Sequence, residues 1–390
     1  MNILHISPSA PYNEGWGYQE NLLPKYQSKL GHKVSLIVTD QSFINGQLAQ
    51  VDIEDYVSNS GFRVIRRQRK GCFSKKITSL MSKIYVYDLL LEINPDIVFC
   101  HGLSNLTILQ VVKYKKKVNK NLVIVEDNHA DYNIGAKVDS FKRRLVRSFW
   151  RYINRKTIKY VSKVYGVTPW RKTYAEDYYG IPSEKTDVLI MGADDEKIDL
   201  ANRESIRASK RLEYGIKDDD FLIITGGKID KKKKIDVLMK ACVGIENVKL
   251  IVFGNVLDDV KQEFESILKK SDNVIYIGWL DADKVYDYFF AADLVFFPGQ
   301  HSVLWEQACA SKVPCVFERW EGMDHVNNGG NSDFVSPVTE EVLRNKIIEL
   351  KYTDKYFNMK QIAESSATDA YLYSNIAKKS LECLNRNLDV

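Results

Sequence analysis

The chain has 390 residues, 45% hydrophobic and 27% charged, which is ordinary for a globular protein with two or three domains and ample core. No uncharged apolar run reaches the roughly 18 residues that a spanning helix needs. The net charge of +5 is unevenly spread, with 30 Lys and Arg against 21 Asp and Glu in residues 1–200 and 26 against 30 in residues 201–390, which points to an anionic partner for the N-terminal half.

Along the chain, apolar runs alternate with amphipathic stretches of crossover-helix length. MNILHISPSAP lacks a basic start followed by an apolar run, so it reads as a first strand and not as a signal peptide. NILHISP (2–8), KVSLIVTD (33–40), DIVFCHG (96–102), LVIVED (122–127), KVYGVT (163–168) and DVLIMG (187–192) read as buried parallel strands. A second series comprises FLIITGG (221–227), VKLIVFG (248–254), VIYIGW (274–279), LVFFP (294–298) and PCVFE (314–318). Two such series, split near residues 195–215, predict an α/β protein with two Rossmann-like, doubly wound domains facing a cleft. The expected domains are 1–195 and 196–368, with a C-terminal helix over 369–390 crossing back to the first. The basic excess falls in RVIRRQRKGCFSKK (63–76) and in FKRRLVRSFWRYINRKTIK (141–159), a helix that interleaves bases with aromatic residues. Six cysteines, at 72, 100, 242, 309, 315 and 383, form no CxxC or metal-ligand spacing and fit a reducing cytoplasm.

In open parallel sheets ligands bind beyond the carboxyl ends of the strands, so the candidate residues are sought there. After the first strand, Gly15 and Gly17 open a loop into a helix near Tyr18. Glu20 stands where a dinucleotide fingerprint needs its third glycine, so the loop fits either close backbone approach to a ligand or a simple turn. His129, after the fourth strand, fits a hydrogen bond to a phosphate or sugar, an acid–base role, or polar surface. His101 has the same kind of position, and His5 reads as a satisfied core residue. In ITGGKIDKKKKIDVLMK, Gly226 and Gly227 precede Lys228 and Lys233, two cations that can converge on one diphosphate; a solvated lysine run is the alternative. Lys231, Lys232 and Lys234 read as surface. After strand 294–298, Gly299, Gln300, His301, Ser302 and Val303 turn into a helix whose early acid is Glu306. A carboxylate there can accept hydrogen bonds from a ribose diol or merely complement the helix dipole.

Taken together these segments resemble the retaining glycosyltransferases of family 4, which have the GT-B fold. The resemblance runs through the glycine-rich loop and LGHKV (30–34), His129, VTPWRKTYAEDYYGIPSEKTDVLIMGADDEKI (167–198) and GGKIDKKKKIDVL (226–238). It continues through Gly254, Gly278-Trp279, AADLVFFP (291–298) and EQACASKVPCVF (306–317). It implies that Lys228 and Lys233 hold the donor diphosphate and Glu306 the nucleotide ribose. The amides of His301, Ser302 and Val303 would take the distal phosphate and His129 the transferred sugar. The Gly15–Gly17 loop would close over the phosphates. Three departures stand out. Pro298 occupies the place of a second glutamate that contacts the donor sugar, with Gln300 or His301 as possible substitutes; Lys228 replaces the usual arginine; and Lys234 replaces the usual glycine.

The expected reaction is transfer of a sugar from a nucleotide diphosphate sugar, UDP first and GDP second, to a glycan or polyprenyl-linked acceptor. Retention is implied by the family alone. The lysines and amides would stabilise the departing diphosphate without a metal or other cofactor, and Asp194-Asp195 reads as structural. The basic segments 63–76 and 141–159 are candidates for an anionic membrane surface at the inner face; no nucleic-acid module is recognised. The alternatives are a GT-B nucleotide-sugar 2-epimerase and a non-catalytic nucleotide-binding subunit of a transferase.

Overall fold

The computed structural model describes residues 1–69, 83–132 and 141–382, so Cys72, Cys383 and the 70–76 part of the first basic segment lie outside the described residues. The chain divides into two compact units. One is Met1–Met191 with the chain from Ile376 on, and the other is Gly192–Asn375. The division thus falls before the expected 195 and the return after the expected 368. The reason is local: Ala193 forms a parallel bridge with Leu372, and the Ser374 amide donates to Asp195 Oδ1 at 3.0 Å. These contacts bind residues 193–195 and 372–374 into the second unit.

In the first unit the strands are β1 (Asn2–Ser7), β2 (Lys33–Thr39), β3 (Gln41–Ile44), β4 (Gln47–Gln50), β5 (Asp55–Val57), β6 (Arg63–Arg67), β7 (Ile97–His101), β8 (Val123–Asn128), β9 (Lys163–Gly166) and β10 (Thr186–Val188). The main sheet runs β10-β9-β8-β7-β1-β2-β6-β5 and is parallel except for β5. Alternate residues Leu4, Ile6, Val98, Cys100 and Ile124 enter one core with Leu90, Val111, Trp150 and Ile153 from the covering helices. Both faces are covered, which is why these strands read as near-continuous apolar runs. β3 and β4 form a separate hairpin whose two-residue turn, Asn45-Gly46, has positive φ at both positions.

The second unit holds β11 (Phe221–Ile229), β12 (Val248–Val256), β13 (Val274–Tyr276), β14 (Leu294–Phe297), β15 (Cys315–Glu318) and β16 (Ser332–Val335). All are parallel, in the order β13-β12-β11-β14-β15-β16. Each sheet therefore reverses its winding at one place, between β7 and β1 in the first unit and between β11 and β14 in the second. These are the crevices where doubly wound sheets bind ligands. The C-terminal helix Tyr373–Ser380 ends in the first unit, where Gln27 Nε2 donates to Ser380 Oγ at 2.9 Å.

The segment RVIRR, read as a basic patch, is the buried strand β6, parallel to β2, with Val64 and Ile65 in the core. Its arginines are already partnered: Arg63 by Asp55 and Glu92, Arg66 by the carbonyls of Thr39 and Tyr12, and Arg67 by Asp88. In its described part, then, this segment offers little free charge to an anionic surface.

Candidate functional site

At the second unit's crevice two strand-end loops meet. Gly299, just past β14, packs on the backbone of Lys232 and Lys233; a Cβ there would lie 2.4 Å from the Lys232 oxygen. The Gln300 amide donates to that same Lys232 carbonyl at 2.9 Å. Lys233 Nζ in turn donates to the carbonyl oxygens of Gln300, at 2.5 Å, and His301, at 3.3 Å. Burial lowers the Lys233 pKa to about 8, with Lys228 adding to the fall and Asp230 opposing it. Lys228 is different. Its side chain is 63% exposed, with Asp230 Oδ2 at 3.4 Å, so it is a solvated cation at the rim.

Glycine is required in β11 and β12 for packing. In register with Gly227, Gly254 has φ +126, and a Cβ on it would lie 1.8 Å from the Gly227 oxygen. Gly227 itself faces Leu304. Lys234 adopts φ +52, in the left-handed region that favours glycine. Read as surface from the sequence, its ammonium pairs with Glu318 at the end of β15.

Glu306 lies in the short helix Leu304–Ala310 and is fully buried. Its Oε1 is met by two imidazoles, His301 Nε2 and His325 Nε2, each at 2.8 Å. Its Oε2 is buried without a hydrogen-bond partner among the described residues. Burial would raise this carboxyl, but the two histidines outweigh it and hold its pKa at about 2. An unmet buried acceptor costs about 1–3 kcal/mol, so the free Oε2 stands out. His301 packs edge-on against Trp305, which stacks on Phe317 at 4.4 Å. Tyr371 OH donates to the His325 carbonyl at 2.8 Å, fixing the loop that carries it. Sequence reasoning missed His325. Its signal was position: it follows β15, another strand end beside the crevice. Gln300, Ser302 and Val303 are half-buried in the turn before the helix, where the Trp305 amide donates to the Ser302 oxygen.

In the first unit a buried polar chain crosses the crevice between β1 and β7 and reaches β8. Gln27 Oε1 meets His5 Nε2 at 2.7 Å, and His5 Nδ1 meets His101 Nε2 at 3.1 Å. His101 Nδ1 meets Asp127 Oδ2 at 2.6 Å, and His129 Nε2 lies 3.5 Å from the same oxygen. Burial and the neighbouring His101 lower the His5 pKa to about 3, so His5 is neutral. Burial also works against protonation of His101, but Asp127 reverses that and raises its pKa. His5 is thus a satisfied buried residue, while Asp127 bonds His101 and lies near His129, whose Nε2 has no hydrogen-bond partner among the described residues. Gly15 turns with φ +80 in open space, and Trp16 between the two glycines stacks on Phe43 of the hairpin. Gly17 lies two residues before the helix Gln19–Lys29.

Two clusters, His301/Glu306/His325 and His101/Asp127/His129, bring three metal-capable atoms within 4.8 Å of one another. In the first, Glu306 Oε1 bonds both histidines; in the second, Asp127 Oδ2 bonds His101.

Two doubly wound, almost wholly parallel sheets, each with polar side chains at its winding reversal, are the two sheets of a GT-B fold. Residues 23–197 match the model of Glycosyltransferase Family 4 and residues 206–365 that of Glycosyl transferases group 1. The chain belongs to the family 4 glycosyltransferases and is a transferase enzyme. A processive diacylglycerol alpha-glucosyltransferase of Acholeplasma laidlawii is 25% identical over 254 residues, which are 60% of this chain and 73% of that protein. A glycosyltransferase structure from Rickettsia africae superposes with TM-score 0.70 at 18% identity, covering 99% of this chain and 98% of that one. The Anabaena protein Alr3699/HepE in complex with UDP gives 0.68 at 16% identity, covering 99% and 100%.

Proposed function

We propose that this transferase uses a nucleoside diphosphate sugar, with UDP as the carrier, and delivers the sugar with retention to a hydroxyl of a glycan or lipid-linked acceptor. One observation carries the reading. Lys233, His301 and Glu306 form one hydrogen-bonded cluster at the winding reversal of the second sheet, where a nucleotide is expected. In this reading Lys233 and the turn at Gln300–Val303 take the diphosphate, rim Lys228 adds charge, and Glu306 takes the ribose. As the anomeric bond breaks, negative charge grows on the leaving diphosphate, and a preorganised ammonium beside oriented amides stabilises it without needing a metal. His129, beside Asp127, keeps the role of bonding the transferred sugar, and the Gly15–Gly17 loop that of covering the phosphates. The UDP complex of the Anabaena protein and the glucosyltransferase activity of the Acholeplasma relative support the carrier and the class of sugar.

The test is a thermal-shift screen of UDP- and GDP-sugars, followed by transfer assays in which the product anomer is read by NMR. A melting temperature raised by UDP-sugars, together with an axial product from an axial donor, supports the proposal. A response to neither nucleotide overturns it.

A second proposal concerns the acceptor side. The helix Phe141–Thr157 buries Trp150 and Ile153 and leaves Phe141 75%, Leu145 55% and Tyr152 59% exposed, among Lys142, Arg155 and Lys156. An apolar line with basic flanks suits the surface of an anionic bilayer, where a lipid-linked acceptor resides. Among the described residues no helix is long and apolar enough to cross a membrane.

A further inference from the structure

We infer that His325 is a positioning residue for the nucleotide: with His301 it ties down one oxygen of Glu306 and leaves the other as the acceptor for the ribose hydroxyls. This rests on the reading of Glu306 as the ribose-binding group.

The geometry is asymmetric. Both imidazole Nε2 atoms sit 2.8 Å from Oε1, while Oε2 is buried and has no partner among the described residues. A carboxylate with one imidazole could swing about its terminal torsion and present either oxygen, because that torsion is broad and roughly two-fold. Two imidazoles arriving from different segments pin Oε1 from two directions and remove that freedom. His301 comes from the loop after β14 and His325 from the loop after β15. The His325 end is itself anchored. Tyr371 OH donates to its carbonyl, and the next carbonyl, of Val326, accepts from Asn331 Nδ2 and Ser332 Oγ, each at 3.1 Å. Such double anchorage is what a preorganised acceptor needs.

The experiment compares the affinity of the whole chain for UDP and GDP with that for their 2′,3′-dideoxy forms, by calorimetry, in wild type, His325→Ala and His325→Gln. Glutamine places an N–H near the position of Nε2, so it separates the hydrogen bond from the shape. The expected result is that wild type prefers the tighter ribonucleotide over its dideoxy form by on the order of tenfold or more, as for hydroxyls bonded to a charged acceptor. His325→Ala then brings that ratio close to one, and His325→Gln restores most of it. All three should melt as folded proteins, and their affinity for inorganic pyrophosphate should be alike. A wild-type preference that His325→Ala leaves intact overturns the inference while the reading of Glu306 stands. A wild type that ignores the hydroxyls overturns both. Loss of pyrophosphate affinity in step with the ratio, unrepaired by glutamine, marks a merely structural histidine and also overturns the inference.

Discussion

The ammonium of Lys233 holds the carbonyl oxygen of Gln300 at 2.5 Å, so a cation from the loop after β11 sets the backbone of the loop after β14. Removing it takes away both a charge and a strut. Lys233→Ala is expected to weaken UDP by on the order of tenfold or more and to abolish transfer, as calorimetry and a transfer assay will show. The same lysine sets a pH dependence. Burial lowers its pKa from 10.5 to about 8, and a bound diphosphate favours the charged form, so binding takes up a proton above that pH. Affinity should be level just below pH 8 and fall by at most about tenfold per unit above it. Calorimetry in two buffers of different ionisation enthalpy reads the proton directly. In folding the sign is opposite: the buried ammonium opposes folding below about pH 8, and this penalty fades as pH rises toward 10.5.

Glu306 separates function from fold only if the substitution is chosen with its histidines in mind. Glu306→Ala leaves two buried imidazole nitrogens without their shared acceptor, at about 1–3 kcal/mol for each group left unmet. It should lower the melting temperature by several degrees, at roughly 2–4 °C per kcal/mol for a unit of this size. Glu306→Gln keeps a carbonyl oxygen for the imidazoles and should melt within a few degrees of wild type while losing transfer. The native carboxylate has its pKa held at about 2, below the ordinary 4.5. Its contribution is therefore fully present above pH 4.5 and is lost as pH falls through 2, a dependence that glutamine removes.

What the sequence disclosed, and what it hid, has a physical cause. The inner parallel strands were legible because burial on both faces writes an unbroken run of Val, Ile and Leu. Strands β3 to β6 and β16 were not, because edge and hairpin strands mix polar residues with short apolar stretches, as in Arg63–Arg67, where charge masked a strand. Lys233 and Glu306 could be picked out because each follows a strand end at a glycine-marked turn. His325 and the Asp127–His101 pair could not be ranked the same way. Their meaning lies in contacts across 19 and 26 residues that no local spacing encodes.

Asp127 should act on the sugar side alone. Its Oδ1 accepts from the Gly102 amide at 2.9 Å and its Oδ2 bonds His101, with His129 Nε2 3.5 Å away, so Asp127→Asn keeps the shape and removes the charge. The diphosphate cluster belongs to the other unit, so UDP affinity should be unchanged. The kcat should fall by on the order of ten- to a hundredfold, because the negative charge beside His129 is lost. The His101 pKa, raised by Asp127 against the effect of burial, should drop, as histidine NMR titration can record. An unaltered kcat with the expected drop at His101 would remove His129 from the reaction.

The helix Phe141–Thr157 can be tested without touching either crevice. Lys142 and Arg155 are exposed, and each basic residue near an anionic bilayer contributes about 1 kcal/mol. The double reversal Lys142→Glu/Arg155→Glu should therefore weaken sedimentation with phosphatidylglycerol vesicles by at least roughly tenfold. Phe141→Ser/Tyr152→Ser should lower the plateau that persists in high salt, since exposed rings insert by burial and not by charge. Transfer to a water-soluble acceptor should continue in all of these variants. Wild-type protein that ignores anionic vesicles at low salt would remove the membrane surface from the proposal and leave the donor site untouched.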